Sequence, residues 1–384
     1  MSGTSLDGID LALVTFCPPT AQTSEKWSWR LEAAKTVPLP PGWRQFLSGV
    51  TGKQTPDART LVQVDVEFGG YLGEIVQIFL TETGGSPPDF VASHGHTLFH
   101  QPPGFASSLT GLGTVPRSSR GYTYQLGHGG ALAAAAGLPV VCDFRATDVA
   151  LGGQGAPLVP LGDRLLFPGF AVCLNLGGIA NLSVERATGG RLAYDVCACN
   201  QLLNALAAEA GLPYDDNGRL ARAGHPIPAL QAELDAPAFF TAPAPKSLGR
   251  EWVEAHSLAT LSGFGTASLP DRLRTTTDHV AGQLAVAIRA ALVEAAPAVG
   301  RQVLATGGGA LNGYLIERLR AELGAAVELG AAVEVVVPTS DIVNFKEAII
   351  FAFLGVLRWR GEINTLASVT GARRDSSSGA IYAP

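Results

Sequence analysis

CLNLGGIANLSVERATGGRLAYDVCACN, residues 173–200, is the stretch whose reading decides the fold. Cys173 to Leu176 alternates in and out of an apolar core, and Ile179 to Val184 does the same. Two strands are therefore predicted, with Gly177 and Gly178 as the two-residue connection of a tight β-hairpin. Two adjacent glycines leave main-chain N–H groups uncovered, so the turn can come close to an anionic oxygen. A second short hairpin, closed near Gly189 and Gly190, leads to Tyr194 and Asp195. Asp195 is a lone carboxylate placed where a strand ends and a helical segment over residues 200–210 begins. Beside a phosphate-accepting turn it is a candidate general base. The other reading makes it the cap of the helix that follows.

Two more glycine turns stand at comparable strand ends. Met1 to Phe16, MSGTSLDGIDLALVTF, opens with a small-residue turn and runs into an apolar strand. Ser2, Thr4 and Ser5 offer hydroxyls, Gly3 and Gly8 bare backbone, and Asp7 and Asp10 carboxylates. That composition suits a turn wrapped around phosphates, with an Asp available to Mg²⁺ through water. Val303 to Ala305 is a buried strand feeding Thr306-Gly307-Gly308-Gly309, followed by a helix over residues 311–323. Strand, glycine turn and helix make a junction that a flat base or an anion can approach. Glycine turns in both halves of the chain suit two similar α/β lobes that hold ATP in a cleft between them. Each lobe would be a mixed sheet with helices packed on its faces.

The remaining segments add one cation and exclude several functions. Residues 145–160, RATDVALGGQGAPLVP, read as a long polar loop between apolar strands, and such loops are more often functional than idle. Its Arg145 has a planar fork suited to an oxygen-rich ligand; alternatively it pairs with Asp143 or Asp148. His94, His96 and His100 match no zinc spacing and are read as loop or hydrogen-bonding histidines, so no metal ligand set is expected. The chain of 384 residues is 47% hydrophobic and 16% charged, enough to bury the cores of two domains. Its net charge of −6 and the lack of a basic cluster argue against nucleic-acid or anionic-membrane partners. Five cysteines in a chain this long do not resemble a disulfide framework, and neither a membrane-spanning run nor a signal peptide is seen, so a cytoplasmic protein is expected.

Beyond these local readings, MSGTSLDGID, SHGHTLFHQPP, VVCDFRATDVALGGQGAPLVP, NLGGIANLS, PKSLGRE, ATGGGALN and VTGARRDSSSGAIY occur in order from residue 1 to about 382. Together they resemble the anhydro-N-acetylmuramic acid kinase family, which is similar in fold to the sugar kinase, heat-shock ATPase and actin superfamily. The resemblance implies two actin-like (ribonuclease H-like) lobes, residues 1–165 with about 360–384 and residues 166–359. It implies a cytoplasmic phosphotransferase of peptidoglycan recycling that uses ATP and Mg²⁺. The substrate would be 1,6-anhydro-N-acetylmuramic acid, phosphorylated at O6 while water opens the anhydro ring. By the same resemblance Asp195 is the catalytic aspartate, Arg145 contacts the sugar and Glu347 is an acid near the site. The ATP phosphate turn falls on Gly3, Thr4, Ser5, Leu6, Asp7, Gly8, Ile9 and Asp10, joined by Gly177 and Gly178. Gly307, Gly308 and Gly309 would lie against the adenosine. A homodimer is suggested.

This sequence departs from the family in two places. Many members read Asp-Thr-Gly-Pro-Gly-Asn where it has Asp195-Val196-Cys197-Ala198-Cys199-Asn200, with the aspartate and asparagine at the same spacing. Members also carry a short apolar strand ahead of Met-Ser-Gly-Thr-Ser, so the first hairpin is expected to lack one arm unless the start lies upstream. The alternatives kept open are an ordinary sugar kinase without ring opening and a catalytically inactive nucleotide-binding regulator.

Overall fold

The apolar run after the first glycine turn forms β1 (Gly8–Cys17), paired antiparallel with β2 (Ser28–Pro38) from Gly8↔Pro38 to Cys17↔Ser28. The computed structural model describes residues 1–3, 6, 8–20, 26–52, 56–101, 121–296, 300–324 and 332–384. The chain divides into two compact units, Met1–Leu166 with Glu347–Pro384, and Phe167–Lys346.

In the first unit, the helix Ala58–Thr83 is capped by Asp57, whose carboxylate accepts the Arg59 and Thr60 N–H groups. It buries Phe68, Leu72, Ile75, Val76 and Phe79 on one face. Four short strands follow: β3 (Val91–Ala92), β4 (His96–Gln101), β5 (Tyr122–Leu126) and β6 (Val140–Cys142). β4 pairs antiparallel with β5, and β3 runs parallel to β6. Among the described residues, the edge of β1 away from β2 meets only Met1 and Ser2, and the edge of β3 away from β6 meets no strand. Ser2 bridges Ile9 in the antiparallel sense and His96 in the parallel sense. A cavity of about 820 Å³ runs along these edges, lined by β1, Phe90 to Ala92, and apolar side chains such as Phe79 and Phe351.

The second unit is built on the 173–200 stretch. β7 (Val172–Leu176), β8 (Ile179–Glu185) and β9 (Arg191–Ala198) form an antiparallel meander. β10 (Gln302–Thr306) lies parallel to β7, and β11 (Glu334–Val336) parallel to β10. The order β11-β10-β7-β8-β9 is therefore 3-2-1-4-5 read from the other edge, with only the second strand reversed, the ribonuclease H-like arrangement. The helices Asn200–Ala208, Leu269–Glu294 and Gly313–Gly324 pack Leu202, Leu284, Ile288 and Leu319 into its core. The second of these begins at its Ser268 cap, whose hydroxyl accepts the Asp271 N–H. Its buried Thr275, Thr276 and Thr277 donate their hydroxyls to the carbonyls of Asp271, Arg272 and Leu273.

The helix Ser340–Trp359 carries the chain back, and the compact first unit takes it in from Glu347. The last strand, β12 (Ala380–Tyr382), pairs antiparallel with β6. No helix among the described residues is long and apolar enough to cross a membrane.

Candidate active site

Asp195 lies inside β9, opposite Asn181 and just past a bulge at Ala180/Asn181. It does not cap the next helix; Cys199 takes that position and supplies no side-chain cap. The Asp195 Oδ2 accepts the Leu248 N–H at 2.9 Å and the Ser247 hydroxyl at 3.1 Å, while its own N–H donates to the Lys246 carbonyl at 3.0 Å. Among the described residues nothing donates to Oδ1. Lys246 in turn ties its loop down by donating to the carbonyls of Phe239 at 2.8 Å and Phe240 at 3.1 Å. Burial pushes the Asp195 carboxyl above the usual aspartate range, and the Leu248 and Ser247 bonds offset this only in part. Sequence reasoning missed Ser247 and Leu248 as partners; the signal for them was the polar PKSLGRE segment after a proline-rich run.

The hairpin turn differs from expectation. Leu176 pairs with Ala180, so three residues intervene, and neither Gly177 nor Gly178 has a left-handed φ. The Gly178 carbonyl accepts the N–H groups of Cys199 and Gln201, and the Gly177 carbonyl that of Asn200. The turn thus closes over the start of the helix Asn200–Ala208 and satisfies its free donors. A Cβ at Gly177 would meet nothing nearer than 3.4 Å, so packing does not demand glycine there.

Gly307 and Gly309 are different. Cβ atoms there would come within 2.6 Å of Asn175 Oδ1 and 2.9 Å of Leu176 Cβ respectively, so the third turn packs directly against the end of β7. Gly307 also has φ +80°, a left-handed conformation that favours glycine. At Gly308 the nearest atom to a Cβ would be 3.8 Å away. The second unit therefore brings two glycine turns side by side, with bare backbone at Gly177 and Gly308.

Cys197 and Cys199 are buried, and burial pushes Cys199 up to about 12 and Cys197 well above the usual thiol value. Both are therefore held as thiols at neutral pH, which makes them poor nucleophiles. No cluster of metal-ligating side chains occurs among the described residues.

The first unit places Arg145, Glu347 and Asp10 in one neighbourhood. Burial lowers the pKa of Arg145 and of the Met1 amino group; the charge of Glu347 opposes this at Arg145, and those of Asp10 and then Glu347 oppose it at Met1. Arg145 does not pair with Asp143 or Asp148. It donates from Nε to His94 Nε2 at 3.0 Å and from Nη1 to the Gly155 carbonyl at 2.7 Å. Of the first glycine turn, Thr4, Ser5 and Asp7 lie outside the described residues. The Leu6 N–H donates to the Gly3 carbonyl at 3.2 Å. Gly8 is required by β2, since a Cβ would lie 2.7 Å from the Val37 carbonyl oxygen. The Ile9 side chain is in the core, which leaves only its backbone available to a ligand. Asp10 accepts the Thr36 hydroxyl at 2.6 Å.

Comparison with known proteins adds the family. The family model described as anhydro-N-acetylmuramic acid kinase matches residues 1–384. A Vibrio cholerae protein of that name is 34% identical over 398 residues, covering 100% of this chain and 97% of its own. Proteins of the same name from Pasteurella multocida and Rhodococcus erythropolis are each 35% identical, covering 100% and 99% of this chain and 95% and 92% of theirs.

Proposed function

The chain belongs to the anhydro-N-acetylmuramic acid kinase family, and from that premise we propose that it transfers the terminal phosphoryl group of ATP to O6 of 1,6-anhydro-N-acetylmuramic acid while water opens the anhydro bond at C1. The product is N-acetylmuramic acid 6-phosphate. The observation that carries this reading is the hold on Asp195. One carboxylate oxygen is fixed by two donors, the other is left to take a proton, and burial raises its affinity for one. A base that activates water needs that combination. Phosphoryl transfer needs alignment and charge neutralisation more than it needs a base, which leaves Asp195 free for the water.

Other residues take supporting roles. The bare backbone at Gly177 and Gly308 is available to nucleotide oxygens or the adenosine. Arg145 donates to oxygens of the sugar from the N–H groups it has left. Mg²⁺, when bound with the nucleotide, supplies charge neutralisation. Asp10 and Glu347, both near enough to Met1 in the first unit for their charges to act on its amino group, would supply carboxylates to hold it, with phosphate oxygens and water completing the set.

Turnover with ATP, Mg²⁺ and the anhydro sugar, with the product separated by chromatography, tests the reading. The expected product is the ring-opened 6-phosphate. A phosphorylated sugar that keeps its ring would make this an ordinary sugar kinase. ATP binding without turnover would make it a nucleotide-binding regulator.

A further inference from the structure

Three motifs of the first unit remain unused by this chemistry: the histidines after β3, the Gly-Gly-Gln-Gly loop and the C-terminal Thr-Gly. All three converge on Arg145. His94 is buried, and its Nε2 accepts from Arg145 Nε–H, so its proton sits on Nδ1, 3.1 Å from the Gly95 carbonyl it donates to. Burial first, and the charge of Arg145 second, hold this imidazole well below its usual pKa and keep it neutral. On the other side, Gly155 presents its carbonyl to Arg145 Nη1 because its own N–H is held at 2.7 Å by Asp148 Oδ2. Asp148 is fully buried, and its second oxygen accepts the Thr370 hydroxyl at 2.7 Å. The Thr370 carbonyl accepts the Gln154 N–H at 2.8 Å, tying the same loop a second time. Gly153 allows this closure, because a Cβ there would lie 2.2 Å from Asp148 Oδ2.

We infer that His94, Asp148 and Thr370 are positioning residues that fix the Arg145 guanidinium from two sides and aim its remaining N–H groups at the sugar. The inference rests on the reading of Arg145 as the sugar-binding arginine. Two of its five N–H bonds are spent on neutral acceptors inside the protein, so its charge is not cancelled by a bonded carboxylate. Held this way the fork is pre-organised, and less freedom is lost when substrate binds.

Steady-state kinetics with separate KM values for sugar and ATP test this in variant pairs. His94→Leu removes the acceptor, whereas His94→Gln offers an amide oxygen at similar reach. Thr370→Val removes the hydroxyl at constant shape, whereas Thr370→Ser keeps it. His94→Leu and Thr370→Val are each expected to raise the sugar KM about tenfold, the scale of one hydrogen bond in a charged network. The ATP KM should stay unchanged, and His94→Gln and Thr370→Ser should restore the sugar KM to near wild type. The two pairs sit on different elements, so loss of folding at one, seen by calorimetry, leaves the other to decide. Arg145→Lys separates the two levels. If it leaves the sugar KM unchanged, the assignment of Arg145 to the sugar fails and the inference goes with it. If Arg145→Lys raises the sugar KM while His94→Leu and Thr370→Val do not, only the positioning frame is wrong. An equal rise in both KM values would show a general loss of structure and would also overturn it.

Discussion

Asp195 sits between opposed influences. Burial disfavours its charge, the two bonds to Oδ2 favour it, and burial prevails. A carboxyl whose pKa is higher in the folded than in the unfolded chain binds its proton more tightly when folded. Its ionised form therefore costs stability, and the cost shrinks as pH falls through the raised value and vanishes below the unfolded one. Asp195→Asn keeps the shape and removes the charge. Turnover should fall roughly 10²–10⁴-fold, while Tm at neutral pH should equal or exceed that of wild type. Calorimetry across pH should show the Tm difference closing as the solution approaches about pH 4, near the unfolded carboxyl's own value. Turnover close to wild type would leave Asp195 a structural residue only. Ser247→Ala removes one of the bonds that favour the ionised form, so the acid limb of kcat/KM should move to higher pH; an unmoved limb would mean that the Ser247 bond does not act on the base. Asp195 could be singled out in the sequence as the carboxylate on the last strand of a double hairpin. Ser247 was not, because it reaches Asp195 from 52 residues away and no local period connects a loop to a strand at that distance.

At the scale of elements, the edges of β1 and β3, which among the described residues pair with no further strand beyond Met1 and Ser2, define a strand-shaped slot. Met1 and Asp10 exchange both main-chain bonds, Met1 N to Asp10 O at 2.8 Å and Asp10 N to Met1 O at 2.8 Å. Ser2 bridges Ile9 and His96. Carried backward from Met1, this register sets successive added residues opposite Leu11, Ala12, Leu13 and Val14 on one side. On the other side they face His94, Ser93, Ala92 and Val91, so β1 and the β3–β6 pair would become one sheet. Fusing a six-residue Val/Ile segment ahead of Met1 is therefore expected to raise Tm and to tighten ATP binding, because the first glycine turn is then anchored on both sides. A Gly/Ser extension of equal length is the control, and equal Tm for the two extensions would show that no strand forms.

Over the whole molecule, local rules reach a long way. Two hairpins fix β7, β8 and β9 as neighbours, and the strand, glycine turn and helix at 302–324 call for a parallel neighbour, so most of the second unit was readable in the sequence. The first unit was less so, because its strands are two to eleven residues long and its Arg145 frame joins segments from residue 94 to residue 370. What the whole enzyme does with water is the remaining question, and it separates ring opening from plain phosphorylation. If Asp195 directs water to C1, cleavage of the C1–O6 bond makes O6 the phosphate acceptor. The water oxygen then ends on C1. Run in ¹⁸O-labelled water, the reaction should place label on the C1 hydroxyl and none in the new phosphate ester. Oxygen exchange at the free reducing end competes slowly, so the product has to be reduced at once before mass analysis. Label in inorganic phosphate with an intact anhydro ring would mark an ATPase, and a ring-intact sugar phosphate an ordinary kinase. Either result would remove the coupled reaction and, with it, the need for a base at Asp195.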